Sequence, residues 1–195
     1  MKRIFDIFFS GTVLIVLAPL FFIIAVIIVF FQGGPILFKQ ERLGLRHLNF
    51  KIIKFCSMTN KTNLMGELLS DELRTTKLGR FLRTTSLDEL PGFWNVFKGE
   101  MSVVGPRPLP VKYKNLYTPQ QDKRHQIKPG ITGWAQINGR NNLSWNDKFL
   151  LDIWYLENQS FLLDLKIILL TIYKVVLTKD ITPNNKKSVD EFLGK

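Results

Sequence analysis

The polarity pattern divides the chain into one long apolar stretch followed by short amphipathic pieces. Residues 7–38 carry no charge, and 7–31 is almost wholly apolar. That length suits a membrane-spanning helix and runs well past the apolar region of a signal peptide, so the pattern attaches the chain to a membrane. Pro19 removes a backbone donor near the middle and disfavours helix at Ala18. The flanking pieces, 7–17 and 20–31, would each be about 16–18 Å long as helices, half of a hydrocarbon core of roughly 30 Å. Lys2 and Arg3 precede the run, whereas Lys39, Arg42, Arg46, Lys51 and Lys54 follow it, so both ends ask for the same side of the bilayer. A re-entrant helix broken at Ala18 and Pro19 satisfies length, charge and proline together. A kinked spanning helix is the alternative.

Beyond the apolar run, Gln32-Gly-Gly-Pro35 breaks the helix. Residues 36–40 and 49–55 predict two strands of a hairpin with a turn at 42–45. Residues 70–83 predict a helix with Leu73, Leu78 and Leu82 facing inward. Ser86 opens a further helix carrying Leu87, Leu90, Phe93, Trp94 and Phe97 and closed by Gly99. Residues 101–110 are too rich in proline for helix and hold Arg107 in a stiff extended segment. Such rigidity suits an anion clamp, because less entropy is lost on binding, although a surface turn has the same signature. The glycine-rich stretch 128–141 matches neither the Walker A nor the dinucleotide fingerprint and reads as turns. Ser144-Trp-Asn-Asp147 starts a helix with Phe149, Ile153 and Leu156 on one side and a Lys148–Asp152 pair four residues apart. Residues 161–177 predict a buried or interfacial helix. The fold expected is α+β and mostly helical: a membrane-embedded re-entrant helix over 1–35, a domain over 36–180 with a short β-hairpin and amphipathic interfacial helices, and a loosely ordered tail over 181–195.

Charge narrows the partners. Lys+Arg 27 against Asp+Glu 16 gives +11, which points to nucleic acid, an acidic membrane surface or phosphorylated substrates. Cys56 stands alone, so no intrachain disulfide forms. His47 and His125 are too few and too isolated to suggest a zinc site. Against this basic background Asp88 and Glu89 lie side by side, and Ser86-Leu-Asp-Glu89 has the spacing of a capping box. In the plain reading Ser86 caps a helix, Glu89 closes the box and Asp88 complements the dipole. The same pair could also form a reactive site at a helix start.

Ordered motifs along the chain favour the reactive site. They begin with Lys2-Arg-Ile-Phe-Asp6, Gln40-Glu-Arg-Leu-Gly44, Lys54-Phe55, Leu78-Gly-Arg-Phe-Leu-Arg83 and Ser86-Leu-Asp-Glu-Leu-Pro91. Gly99-Glu-Met-Ser-Val-Val-Gly-Pro-Arg-Pro108, Arg124-His125, Lys128-Pro-Gly-Ile-Thr-Gly133 and Gln136-Ile-Asn-Gly-Arg140 follow. Together they resemble the monotopic phosphoglycosyl transferases, the bacterial sugar transferases, over nearly the whole length. The short length is similar to that of the minimal members, which consist of the catalytic unit alone.

The resemblance implies an enzyme of the bacterial inner membrane. Its N-terminal helix would enter and leave one leaflet, with the catalytic domain in the cytoplasm. It implies transfer of a sugar 1-phosphate from a UDP-sugar to undecaprenyl phosphate, with release of UMP, as a first membrane step of glycan assembly. Asp88 would be the nucleophile on the β-phosphate and a contact of Mg²⁺, the implied cofactor, with Glu89 as its partner. Arg83 and Arg107 match phosphate-binding arginines, Lys54 would orient the dyad, and Arg140 is a candidate for the nucleotide end. Asp164 matches a family aspartate that holds an arginine in place. Downstream glycosyltransferases are possible partners, and an N-acetylated deoxy sugar leads galactose, glucose and N-acetylgalactosamine as the sugar.

These roles are physically coherent, since a diphosphate, a second phosphate and a carboxylate repel one another. A helix N-terminus, Mg²⁺ and arginines supply the opposing charge, and the dipole would keep Asp88 ionised. Glu89 is left open as cap, metal contact or general base. Two positions depart from the family pattern: Ala18 where serine or asparagine often precedes the proline, and Cys56 where arginine or lysine is usual. A non-catalytic membrane module that binds anionic lipid or an assembly partner is the second reading. Nucleic-acid binding explains the charge but neither the membrane run nor the motifs.

Overall fold

The computed structural model describes residues 1–139, 143–177 and 191–194. Two helices, α1 (Lys2–Val16) and α2 (Ala18–Gln32), lead into an antiparallel hairpin of β1 (Leu37–Leu43) and β2 (Asn49–Phe55). Then come α3 (Asp71–Arg74), α4 (Lys77–Thr84), a 3₁₀ turn over Leu87–Gly92, α5 (Phe93–Lys98) and β3 (Ser102–Val104). The chain continues through α6 (Pro119–Asp122), β4 (Gly130–Thr132), α7 (Trp134–Ile137), α8 (Trp145–Glu157) and α9 (Phe161–Val176). The fold is therefore mixed and mainly helical, as the pattern predicts.

No single described helix is long and apolar enough to cross a membrane, but α1 and α2 pass that test as a pair bent by 58°. The bend falls at Leu17, one residue before the expected break at Ala18 and Pro19. Proline is well placed in a first helical turn, where its missing N–H is not needed, so Pro19 starts α2 rather than interrupting it. Leu17 N still donates to Val13 O at 2.9 Å, and Phe21 N to Leu17 O at 2.9 Å, so the chain bends without unravelling. Ala18 supplies no side-chain cap.

Both helices are fastened to the rest of the chain. Arg3 donates to the carbonyls of Val96 at 2.6 Å and Phe97 at 2.7 Å, capping the end of α5. Asp6 is buried and accepts from Ser102 Oγ and Val103 N, both at 3.0 Å, which ties α1 to β3. Ile24 and Ile28 of α2 pack with Phe55 and Leu82, behind the strand and helix that carry Lys54 and Arg83. A larger core joins Phe50 and Ile52 to Val96, Met101, Val103, Tyr155, Ile167 and Ile168.

The helix expected over 70–83 is two helices. Thr76 caps α4 by accepting from Gly79 N at 2.8 Å, and Leu73 on α3 is exposed. Gly79 is buried against the preceding loop, where an added Cβ would lie 1.8 Å from the carbonyl oxygen of Ser57. Gly79→Ala should therefore destabilise the fold by about 1–3 kcal/mol and loosen Ser57, a partner of Arg83. Thermal unfolding at matched detergent concentration checks this; an unchanged Tm would contradict it.

The glycine-rich stretch has a packing purpose that its turn-like composition conceals. β3 and β4 pair in parallel, and Cβ atoms on Gly130 or Gly133 would come within 2.1 Å of the Gly105 backbone. The predicted Lys148–Asp152 pair does not form: Asp152 is buried on Arg124, and Lys148 lies over the Trp145 ring at 4.6 Å. Part of the tail is also ordered where looseness was expected. Phe192 is buried among Tyr113, Tyr117, Trp145 and Phe149, an aromatic cluster that repays ordering.

Candidate active site

Asp88 and Glu89 sit on the 3₁₀ turn between α4 and α5. Ser86 there is left-handed, at φ 57°, and its hydroxyl makes no cap. A capping residue needs an extended backbone, so the expected box does not form. Pro91 lacks the N–H that an α-helical bond from this position would require, in keeping with the tighter turn observed. The expectation that a helix dipole keeps Asp88 ionised fails with the box.

Burial and Glu89 dominate instead. Asp88 is 7% exposed and accepts no hydrogen bond from any described residue. Desolvation, followed by repulsion from Glu89, pushes its carboxyl up to about 6, against the pull of Lys54, Arg107 and Arg83. Glu89 is the opposite case. Burial alone would raise it, but Arg107 and Lys54 outweigh burial and hold it well below the usual carboxylate range. Its Oε1 accepts from Lys54 Nζ at 2.7 Å and from Arg107 Nη2 at 2.8 Å. Two adjacent carboxylates thus differ sharply in basicity, the pattern of a site with divided roles.

Neighbouring elements set this geometry. Asn95 of α5 is fully buried, accepts from Ile53 N at 3.1 Å and donates to Lys51 O at 2.8 Å. It thereby locks β2, and Lys54 with it, beside the turn. Arg107 follows β3 in the extended, proline-flanked segment that the composition predicts. Arg124 donates to the Arg107 carbonyl at 2.8 Å and pairs with Asp152 through Nε at 3.0 Å and Nη2 at 2.7 Å, both side chains being buried. Arg83 points its Nε at Ser57 Oγ, 2.8 Å away.

Lys54, Asp88, Glu89, Arg83 and Arg107 are therefore brought together. Asp164 is not among them: it binds Lys2 Nζ at 2.5 Å and Tyr155 Oη at 2.6 Å, so its basic partner is a lysine of α1 rather than an arginine. Arg140 lies outside the described residues. Cys56 is buried and donates to Met58 O at 3.2 Å, a packed position without charge.

Three contributors escape a reading of the sequence. Arg42 of β1 lines the open cavity of about 60 Å³ beside Glu89, Lys54 and Arg107. Desolvation and the nearby Arg107 lower it to about 10; its Nη1 donates to Pro108 O at 3.3 Å and its Nη2 to Gln40 Oε1 at 2.5 Å, while its Nε is buried without a partner among the described residues. Arg124 and Asp152 position Arg107 from behind. Arg42 and Arg124 both fall within the quoted motifs, but nothing in their spacing tells a cavity wall from a support. The two histidines are not isolated either: the folded chain brings their ring centroids 4.4 Å apart, tilted by 34°, with Asp122 between their nitrogens.

Comparison with known proteins agrees with this arrangement. The family model described as bacterial sugar transferase matches residues 1–178. The uncharacterised sugar transferase EpsL of Bacillus subtilis is 46% identical over 194 residues, covering 100% of this chain and 96% of that protein. The UDP-glucose:undecaprenyl-phosphate glucose-1-phosphate transferase of Klebsiella pneumoniae is 42% identical over 188 residues, 91% of this chain but 40% of its own length. The exopolysaccharide production protein ExoY of Sinorhizobium fredii is 36% identical over 195 residues, 91% of this chain and 86% of that protein. The match runs through the N-terminal helix pair, the carboxylate turn and the arginine-bearing segments alike, and the chain belongs to the bacterial sugar transferase family of phosphoglycosyl transferases.

Proposed function

We propose that this chain transfers a sugar 1-phosphate from a UDP-sugar to undecaprenyl phosphate in polysaccharide synthesis, through a covalent phospho-sugar on Asp88. The observation that carries this reading is the buried Asp88 carboxylate, which accepts no hydrogen bond from the described residues and is ringed by Lys54, Arg83 and Arg107. An Asp88 oxygen bonds to the sugar-bearing phosphorus as the bridging P–O bond to UMP breaks. A phosphate oxygen of undecaprenyl phosphate then attacks the same phosphorus, freeing Asp88 and yielding undecaprenyl diphosphate sugar. Arg107, Arg83 and Arg42 take up the phosphate charge. Glu89 is too weakly basic to serve as a general base and acts by aiming Arg107 and Lys54.

The donor set suits Mg²⁺, a hard cation that takes oxygen ligands. The Asp88 carboxylate is uncommitted among the described residues, and Glu89 has Oε2 to spare beside it. These two residues would hold the ion, which supplies charge neutralisation to the diphosphate.

A re-entrant, cytoplasm-facing placement is supported by the 58° bend and by basic residues at both ends of the apolar pair. Phe8, Phe22, Phe30 and Phe31 project from it, each at least 70% exposed, and Leu162 and Val176 of α9 are as bare. We read these as bilayer contacts. The Klebsiella relative is named for glucose 1-phosphate, which moves glucose ahead of the N-acetylated deoxy sugar.

The test is UMP release across a panel of labelled UDP-sugars. Without undecaprenyl phosphate, the enzyme should release at most one UMP per chain and retain label on the protein; adding the lipid should restart turnover. Turnover without labelled protein would mean direct transfer. Absence of UMP with every donor would favour the non-catalytic membrane module.

A further inference from the structure

We propose that His47, Asp122 and His125 form a site for a zinc-class divalent cation, which staples the tip of the β1–β2 hairpin to the segment carrying Arg124. The site is separate from the Asp88 turn and does not depend on the transfer reaction.

One ligand atom from each of the three side chains lies within 4.8 Å of the others. His47 Nε2 is 2.9 Å from Asp122 Oδ1, and His125 Nδ1 is 3.2 Å from the same oxygen. Around a tetrahedral zinc ion with bonds of roughly 2.0–2.1 Å, neighbouring ligand atoms stand about 3.3 Å apart. The existing separations from Asp122 are within a few tenths of an ångström of that spacing. Two imidazoles and one carboxylate leave a coordination position for water. The softer nitrogen ligands favour zinc, cobalt or nickel over magnesium.

Hydrogen bonding to Asp122 leaves part of the cluster unexplained. His47 Nδ1 and His125 Nε2 are both buried without a partner, although the His125 side chain is only 7% exposed. Ligation through His47 Nε2 and His125 Nδ1 would fix the proton of each ring on these two unpartnered nitrogens. Arg46 and His47 both adopt left-handed backbone, at φ 51° and 60°, so the hairpin turn holds His47 at some strain. Repulsion from Arg124 is blunted by its pairing with Asp152. Asp122 is 42% exposed, which gives a path in from solvent.

The experiment uses the full chain in detergent, purified without a histidine tag, stripped with chelator and titrated with Co²⁺. We expect the visible d–d bands of about one bound Co²⁺ per chain, displaced by Zn²⁺ but not by excess Mg²⁺. His47→Gln and Asp122→Asn, both on the more open side, should each weaken binding by about 100-fold or more, whereas Asp88→Asn should leave the bands intact. Zn²⁺ should raise Tm in the wild type and not in His47→Gln. Bands that survive both ligand substitutions, bands lost in Asp88→Asn, or no bands at all would overturn the proposal.

Discussion

Asp88→Asn is expected to give a protein that is inactive and yet harder to unfold. In the folded chain the Asp88 carboxyl rises from 3.8 to about 6. The native state therefore holds this proton more tightly than the unfolded state. Stability is fully present below the unfolded value and falls as pH rises through that window. Above pH 7 the whole penalty applies, and a neutral amide of the same shape removes up to about 3 kcal/mol of it. The gain in Tm should be visible at pH 8 and vanish below pH 4. Turnover should fall by about a thousandfold or more, because no other described group occupies the nucleophile's position. In the wild type, kcat/KM should rise with pH as Asp88 loses its proton. Loss of stability at pH 8 in the asparagine variant would show that Asp88 is not held against a desolvation penalty.

Arg124→Leu should have the largest effect on stability. It strands Asp152 in the interior, where burial already pushes that carboxyl up even with Arg124 present. Breaking one half of a buried pair typically costs about 3–5 kcal/mol. The Arg107 carbonyl also loses its donor, so the clamp over Glu89 loosens. The double variant Arg124→Leu/Asp152→Leu separates the two effects. It should recover most of the stability, because no uncompensated charge remains, while KM for the UDP-sugar stays raised. Denaturant unfolding and donor titration read the two quantities independently. A double variant with normal KM would mean that Arg124 supports the fold and not the clamp.

The difference between these two carboxylates, Asp88 and Asp152, shows where sequence reading stops. Asp88 stands out because it adjoins Glu89 in a basic chain and comes after Ser86 at a recognisable spacing. Asp152 lies at a helical spacing from Lys148, and local pattern assigns it that partner. The structure gives it to Arg124, which local spacing cannot anticipate because the two meet only when α8 packs against the segment after α6. The Ser86 box fails in the same way. Its spacing is right, but the chain reverses out of α4 with a left-handed residue, so the hydroxyl has no N–H to cap.

Features under local physical control were legible from the chain alone. The apolar run and its proline establish a bent helical pair, two short strand-like runs around a turn establish the hairpin, and the proline-rich segment establishes an extended Arg107. Lys54, Asp88, Glu89, Arg83 and Arg107 were identifiable from the motifs that carry them. Tertiary structure decided their electrostatic states: Asp88 is raised by burial rather than lowered by a dipole, and Glu89 is committed to Lys54 and Arg107. It alone brought in Arg42 and Arg124, and it alone joined His47 to His125 across the fold. The reason is range. Secondary structure arises from neighbours a few residues apart, whereas desolvation and charge pairing depend on which distant segments share one interior.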